Sequence, residues 1–383
     1  MRDIYKPICA AVAVSLLVAT PAPAQQEQEL PSEWTLCIND GKVYPPDIAA
    51  DGCTAVIQSA GRTPRELAVA FTNRGLAYRA LGDFDRALSD YDSAIKLDPA
   101  YALAFNNRGA ARRDRGEYDR AIADYDEALR IDPRNAVILT NRGAAYRDKG
   151  DLNRAIADYD AALRIDPKYA TALTNRGNAY REMGNLDRAA ADYDAAIEAD
   201  PTNAIAFNNR GAAYLISGDV DNALAYYSEA IRLDPNYALA FNNRGIVWRD
   251  KGDLDHAVVD FGEAIRINPR FGAAIVNRAN AWRDKGDFDR ALADYSDAIR
   301  VNPRNTFALN NRGLARLRRG EFDASIADFD AAIALNAGLA ESLYGRGIAK
   351  RKKGDLAGAA ADLAAAKAIR PGIAQEFALS EIQ

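Results

Sequence analysis

Residues Ala102–Asn135 read ALAFNNRGAARRDRGEYDRAIADYDEALRIDPRN, and close copies of this stretch fill the chain from about Ala68 to Gly372. The period is 34 residues. It is clearest in Gly116, which recurs at every step from Gly82 to Gly354, and in Pro133, which recurs from Pro99 to Pro371 with Ala337 as the one exception. Self-similarity in unbroken register marks a repeat architecture: no unit buries its apolar surface alone, and stacked neighbours share a continuous core. Nine units are numbered here from the one beginning at Ala68.

Each unit divides at its Gly-acid pair. In the quoted unit the pattern predicts one helix over Ala102–Arg115, ended by Gly116, since glycine takes the left-handed position after a helix without strain. Glu117 stands where an acid caps or complements the next helix; the equivalents are aspartates, glutamates or Asn185. A second helix is predicted over Tyr118–Ile131. Asp132-Pro133 closes it, and the next helix is expected to begin at once, with proline in its first turn. Gly109, Ala121 and Ala128 have little side chain and let helices approach. Tyr125 and its counterparts, Tyr91 through Phe329, fill the space between.

Phe241, Gly245, Trp248, Ala257, Phe261 and Pro269 together resemble the tetratricopeptide repeat pattern. The resemblance covers about four-fifths of the chain. It implies an all-α, right-handed superhelical solenoid of nine helix-turn-helix repeats. It departs from the pattern where the family has leucine: this chain has arginine in every unit, Arg74 through Arg346.

Outside the array, Arg2 and Lys6 followed by the apolar run Ile8–Val18 and by Ala22-Pro23-Ala24 read as a cleavable signal peptide over 1–24. The run is too short for a membrane span. Cys37 and Cys53 are the only other cysteines besides Cys9. In an exported chain such a pair reads as a disulfide, worth about 3 kcal/mol for its loop length, the alternative being two buried thiols. Residues 25–67 are expected to form a cap: loose over 25–33, irregular from Trp34 to Pro46, helical over Asp47–Ser59, then a Gly61–Pro64 linker. Residues 68–372 form the array and 373–383 a final capping helix. The chain is 27% charged with a net charge of −5, one unit more negative without residues 1–24, which hold Arg2, Lys6 and Asp3. That balance argues against general nucleic-acid or anionic-membrane binding.

Two recurring residues invite separate readings. The arginine of each Asn-Arg-Gly tripeptide has an aspartate sixteen residues later, Asp90 through Asp362, except that Tyr226 stands opposite Arg210. A buried guanidinium needs a partner, so a structural Arg–Asp pair is expected. The asparagine recurs at Asn73, Asn107, Asn141, Asn175, Asn209, Asn243, Asn277 and Asn311. Asparagine costs about 0.5 kcal/mol in a helix interior, so eight of them suggest a shared task. In the resembled family the first helices line a concave face, and this ladder would hold the backbone of an extended peptide. The alternative is that each asparagine bonds the neighbouring repeat. The preceding residues (Thr72, Asn106, Thr140, Thr174, Asn208, Asn242, Asn310) suggest a polar, open surface. An arginine row (Arg79, Arg113, Arg147, Arg181, Arg249, Arg283, Arg351) either attracts acidic partner segments or pairs with nearby acids.

Catalytic signals are missing from the pattern. His256 is the single histidine and belongs on the surface, and a ninefold aspartate is a poor candidate for a unique active site. No phosphate loop, calcium loop or zinc spacing appears, so no cofactor or metal is expected. The family's carboxylate clamp needs groove lysines that are not there. The expected protein is a non-enzymatic scaffold in the periplasm, or secreted, holding an extended segment of one or more proteins in the asparagine-lined groove. It binds no nucleic acid and does not insert into a membrane after signal cleavage. The alternative function is an assembly adaptor of an envelope secretion or polysaccharide-export machine, acting through the convex face or the ends.

Overall fold

The structure, a computed structural model, describes residues 32–379, all of it helix and turn. The expected signal segment, residues 25–31 and the last four residues lie outside the described part. The chain divides into two compact bodies, with the boundary after Pro99.

The first body holds the cap and unit one. Here the structure corrects the sequence reading. The stretch expected to be irregular begins with a helix, Glu33–Ile38, capped by Ser32, followed by a 3-10 turn over Asp40–Lys42. Asn39, Gly41 and Lys42 all have left-handed backbone, and the Asn39 side chain clamps the Tyr44 peptide at 2.8–2.9 Å on both its N–H and its carbonyl. The cap helix runs over Pro46–Gln58, and Cys37 and Cys53 are joined by the expected disulfide, buried with Val56 and Ala70. The first helix of unit one spans Pro64–Ala80. It begins four residues before the expected array boundary because Thr63 and Glu66 form a capping box and Pro64 sits in the first turn, needing no donor.

The second body stacks units two to nine. Their first helices are Ala102–Asp114, Ala136–Asp148, Ala170–Glu182, Ala204–Ile216, Ala238–Asp250, Gly272–Asp284, Thr306–Arg318 and Ala340–Lys352. Their second helices begin at Tyr118, Leu152, Leu186, Val220, Leu254, Phe288, Phe322 and Leu356. Each first helix packs on its own second helix, and each second helix packs on the next first helix. The turn glycine is left-handed in every unit, for example +77° at Gly116. Asp151, Asn185, Asp219, Asp253, Asp287 and Asp355 accept the N–H three residues on, as cap residues should. Glu117 and Glu321 are one methylene too long for that bond and instead hold Arg120 and Arg319.

Contrary to the sequence expectation, the prolines do not stand in the first turn of the next helix. Pro133 and Arg134 form a turn, Asn135 caps, and the helix starts at Ala136. In units one to eight the central aromatic is fully buried, as at Tyr125, Tyr159, Phe261 and Phe329. A Cβ built on Gly143 would lie 2.7 Å from the Tyr159 ring, which is why that position is glycine or, at Ala279, nothing larger than alanine. At the end of the array Ile373–Leu379 is helical, and Ile373 and Phe377 cover Leu343, Ile348 and Ala366.

Candidate functional site: the first-helix face

Helical spacing puts residues 103, 106, 107, 110 and 113 on one face of the first helix of unit two, and the same positions on one face in every unit. The residues expected to form the ladder all lie on this face.

The arginine at the Asn-Arg-Gly position of each unit (Asn-Arg-Ala at Arg278, Gly-Arg-Gly at Arg346) lies off it and is internal structure. Arg74, Arg108, Arg142, Arg176, Arg244, Arg278, Arg312 and Arg346 each bond the aspartate sixteen residues on. The aspartates are buried, so the guanidinium supplies the partner their charge requires. Several arginines also reach back one unit: Arg142 to Asp126, Arg176 to Asp160 and Arg346 to Asp330, each at 2.6 Å. In unit five, where Tyr226 replaces the aspartate, Arg210 bonds Asp194 at 2.7 Å and lies 3.9 Å above the Tyr214 ring.

Much of the asparagine ladder is engaged between repeats. Asn141, Asn243 and Asn277 donate from Nδ2 to Oδ1 of Asn106, Asn208 and Asn242 in the preceding unit, at 2.9–3.0 Å. Asn209 and Asn311 donate to Asn178 and Asn280 at 3.0 and 3.1 Å. Within units, Asn208 donates to Asn209 and Asn242 to Asn243. A continuous amide chain therefore runs Asn277, Asn242, Asn243, Asn208, Asn209, Asn178. Its last carbonyl also accepts the Tyr193 hydroxyl at 2.8 Å, and burial pushes that phenol up to about 12.

Asn107 accepts from Asn106 and is buried, its Nδ2 without a hydrogen-bond partner. Asn73 and Asn175 are only part-buried and make no side-chain hydrogen bond among the described residues. The cause at Asn175 is local. Thr140 stands where other units place the acceptor asparagine, and its hydroxyl bonds the Ala136 carbonyl of its own helix.

Two expectations for this face change. The preceding row is not open surface: Thr72, Asn106, Thr140, Thr174, Asn208 and Asn242 are buried. Open surface is supplied instead by an apolar row that the sequence reading passed over. Leu103, Val137, Ile205, Leu239 and Phe307, the second residue of their helices, are 41–76% exposed. Their shared period was the available signal, hidden because each residue alone looks like core.

Part of the arginine row is paired across units, Arg113 with Asp148 at 2.7 Å and Arg249 with Asp284 at 3.0 Å, while Arg283 holds the adjacent Asp284 of its own unit. Arg181 has no acid partner among the described residues, since Ile216 occupies the place of the next acid. His256 is on the surface, bonded to Asp253 at 2.7 Å. Among the described residues no cluster of His, Cys, Asp or Glu could hold a metal, and no helix is long and apolar enough to cross a membrane.

Comparison with known proteins agrees with this architecture. Models described as "Tetratricopeptide repeat" match residues 72–136, 174–238, 208–272, 276–340 and 310–372, and residues 124–157; one described as "TPR repeat" matches 143–184. These cover well over half of the chain, which belongs to the tetratricopeptide repeat family.

Members of the family generally act as protein–protein interaction scaffolds and not as catalysts, and commonly bind protein partners. No curated protein matches the chain. Similar solved structures include a tetratricopeptide repeat protein from Parabacteroides merdae ATCC 43184 (21% identity, 62% of this chain and 94% of that one, TM-score 0.49). MamA is 28% identical over 42% of this chain and 94% of that one, with a TM-score of 0.38. YrrB, described as a TPR protein with an unusual peptide-binding site, is 26% identical over 49% of this chain and 97% of that one, with a TM-score of 0.38.

Proposed function

We propose that this protein is an exported, non-enzymatic scaffold that holds an extended segment of a partner protein along the first-helix face of units two to nine. The observation that carries this reading is the exposed apolar row of Leu103, Val137, Ile205, Leu239 and Phe307 running beside the asparagines. Large apolar side chains left in water at a fixed period suit the alternate side chains of an extended segment. The part-exposed ladder members of these units, Asn141, Asn175, Asn243, Asn277 and Asn311, supply amides beside that row. Those held by a neighbouring repeat are preorganised, which lowers the entropic cost of binding. Asn107 and Asn209 are buried and serve the floor. Export to a periplasm is supported by the signal-like segment 1–24 and by the paired Cys37 and Cys53, which suit an oxidising compartment.

The test is capture of partners by periplasmic cross-linking and mass spectrometry, comparing the native chain with a Leu103→Ser, Ile205→Ser, Phe307→Ser variant. Loss of capture with an unchanged helical melt supports the groove. Unchanged capture rejects it and favours an adaptor acting through its convex face or ends.

A further inference from the structure

The first-helix face changes its charge at one end. Near the end of the first helix, units two, three, four, six and seven carry an arginine followed by an acid: Arg113-Asp114, Arg147-Asp148, Arg181-Glu182, Arg249-Asp250 and Arg283-Asp284. Acids hold Arg113, Arg147, Arg249 and Arg283, and each of these pairs carries one acid to one arginine, so the face is close to neutral there. In unit eight the same places are Leu317 and Arg318, and in unit nine Arg351 and Lys352. The acid has become a cation in both.

These two first helices pack side by side, tied by a 2.8 Å bond from the Ser342 hydroxyl to Asn310 Oδ1, so the cations share one corner. Arg318, Arg351 and Lys352 are exposed. Arg351 and Lys352 have no ion pair among the described residues. Nearby acids are already held: Glu341 by Arg370, Asp323 by Lys353, Glu321 by Arg319, and Asp362 by Arg346 and Lys350. Helix C-termini favour cations in general, yet units six and seven place Asp250 and Asp284 at this end. The helix dipole therefore does not explain the switch.

We propose that the segment bound along the first-helix face is acidic over the part that lies on units eight and nine, with apolar side chains on the part that lies on the row from Leu103 to Phe307. This rests on the groove reading above and adds the partner's chemistry and its polarity along the array. Carboxylates meeting Arg351 and Lys352 gain charge-assisted hydrogen bonds that paired arginines such as Arg113 and Arg249 cannot offer.

The experiment uses the full chain and three fluorescein-labelled peptides that share a Leu/Ser/Gly half. The other half carries a run of glutamate, lysine or serine. Anisotropy titrations at low and physiological salt should show the glutamate peptide binding about tenfold more tightly than the lysine peptide, with the gap narrowing as salt rises. The Arg318→Glu, Arg351→Glu, Lys352→Glu variant should reverse that preference while keeping its helical melt. A photo-crosslinker at the glutamate end should label Thr306–Arg318 or Ala340–Lys352. Equal binding of all three peptides would overturn the acidic proposal and leave the groove reading standing; no binding of any would overturn both. Phosphatidylglycerol vesicles are a fourth probe. Sedimentation with them that the triple variant abolishes, without any peptide preference, would overturn the proposal in favour of a lipid surface.

Discussion

Truncating Asp294 while leaving Arg278 in place isolates the Arg–Asp pair in its least supported setting. Asp294 is buried and accepts from Arg278 Nε and Nη2 at 2.8 and 2.7 Å. One unit back, where other arginines find a second acid, Gly262 offers nothing. The variant Asp294→Ala therefore leaves a three-quarters-buried guanidinium without its partner, and the expected loss is about 4 kcal/mol. Asp158→Ala is the control. Arg142 keeps its 2.6 Å contact to Asp126, which is half exposed, so about 3 kcal/mol is expected. Removing both members, as Arg278→Leu with Asp294→Ala, should cost only about 1–2 kcal/mol, since no charge is left stranded. The assay is urea unfolding followed by far-UV circular dichroism, fitted with a nearest-neighbour repeat model because long arrays are not strictly two-state. Amide exchange in Phe288–Val301 localises the effect. If single and double variants unfold alike, or if Asp158→Ala costs more than Asp294→Ala, the account of the arginine as paired internal structure is wrong.

Reducing the Cys37–Cys53 bond, or changing both to serine, should destabilise the cap by about 3 kcal/mol in the chain-entropy model, seen as faster amide exchange in Pro46–Gln58 with units six to nine unaffected. Gly143→Val should cost about 2 kcal/mol by overpacking against Tyr159, whereas Ala279→Gly should cost only about 1 kcal/mol, the helix preference for alanine, by the same denaturation assay. Acid should weaken the array. Asp151 is held below the usual carboxylate range by the Arg154 backbone N–H and then by its guanidinium; for Asp362, burial pushes upward but bonds from Arg346 and Lys350 outweigh it. A lowered folded pKa gives stability that is present above the ordinary aspartate range and lost as pH falls through the folded value. Melting temperature should therefore drop below about pH 4, and Asp151→Asn should flatten the part that arises at that cap.

Period and turn chemistry made the fold readable before any coordinates. Gly116 and its counterparts announced the left-handed turn, and the alanines and buried tyrosines announced close packing. The Arg–Asp pairing was readable because one spacing served every unit but the fifth. Less was readable where a residue's role depends on what its neighbour offers. Nothing in Asn175 itself distinguishes it from Asn209; Thr140 in the preceding unit leaves one without a partner, while Asn178 holds the other. The helix at Glu33–Ile38 was hidden because it is barely two turns long and owes its place to a disulfide and to Ser32. The apolar row was hidden because a leucine in a helix reads as core until the packing shows its side exposed.

Every inter-repeat amide bond in the chain from Asn277 to Asn178 points the same way, with the donor on the later repeat and the acceptor on the earlier one. Hydrogen bonds strung in one sense polarise one another. The floor of this face is therefore a track with a head and a tail, unlike a symmetrical slot. A segment laid along it from left to right does not meet the same sequence of donors and acceptors as one laid from right to left. Direction of threading is a property that the protein, and not its partner alone, can select.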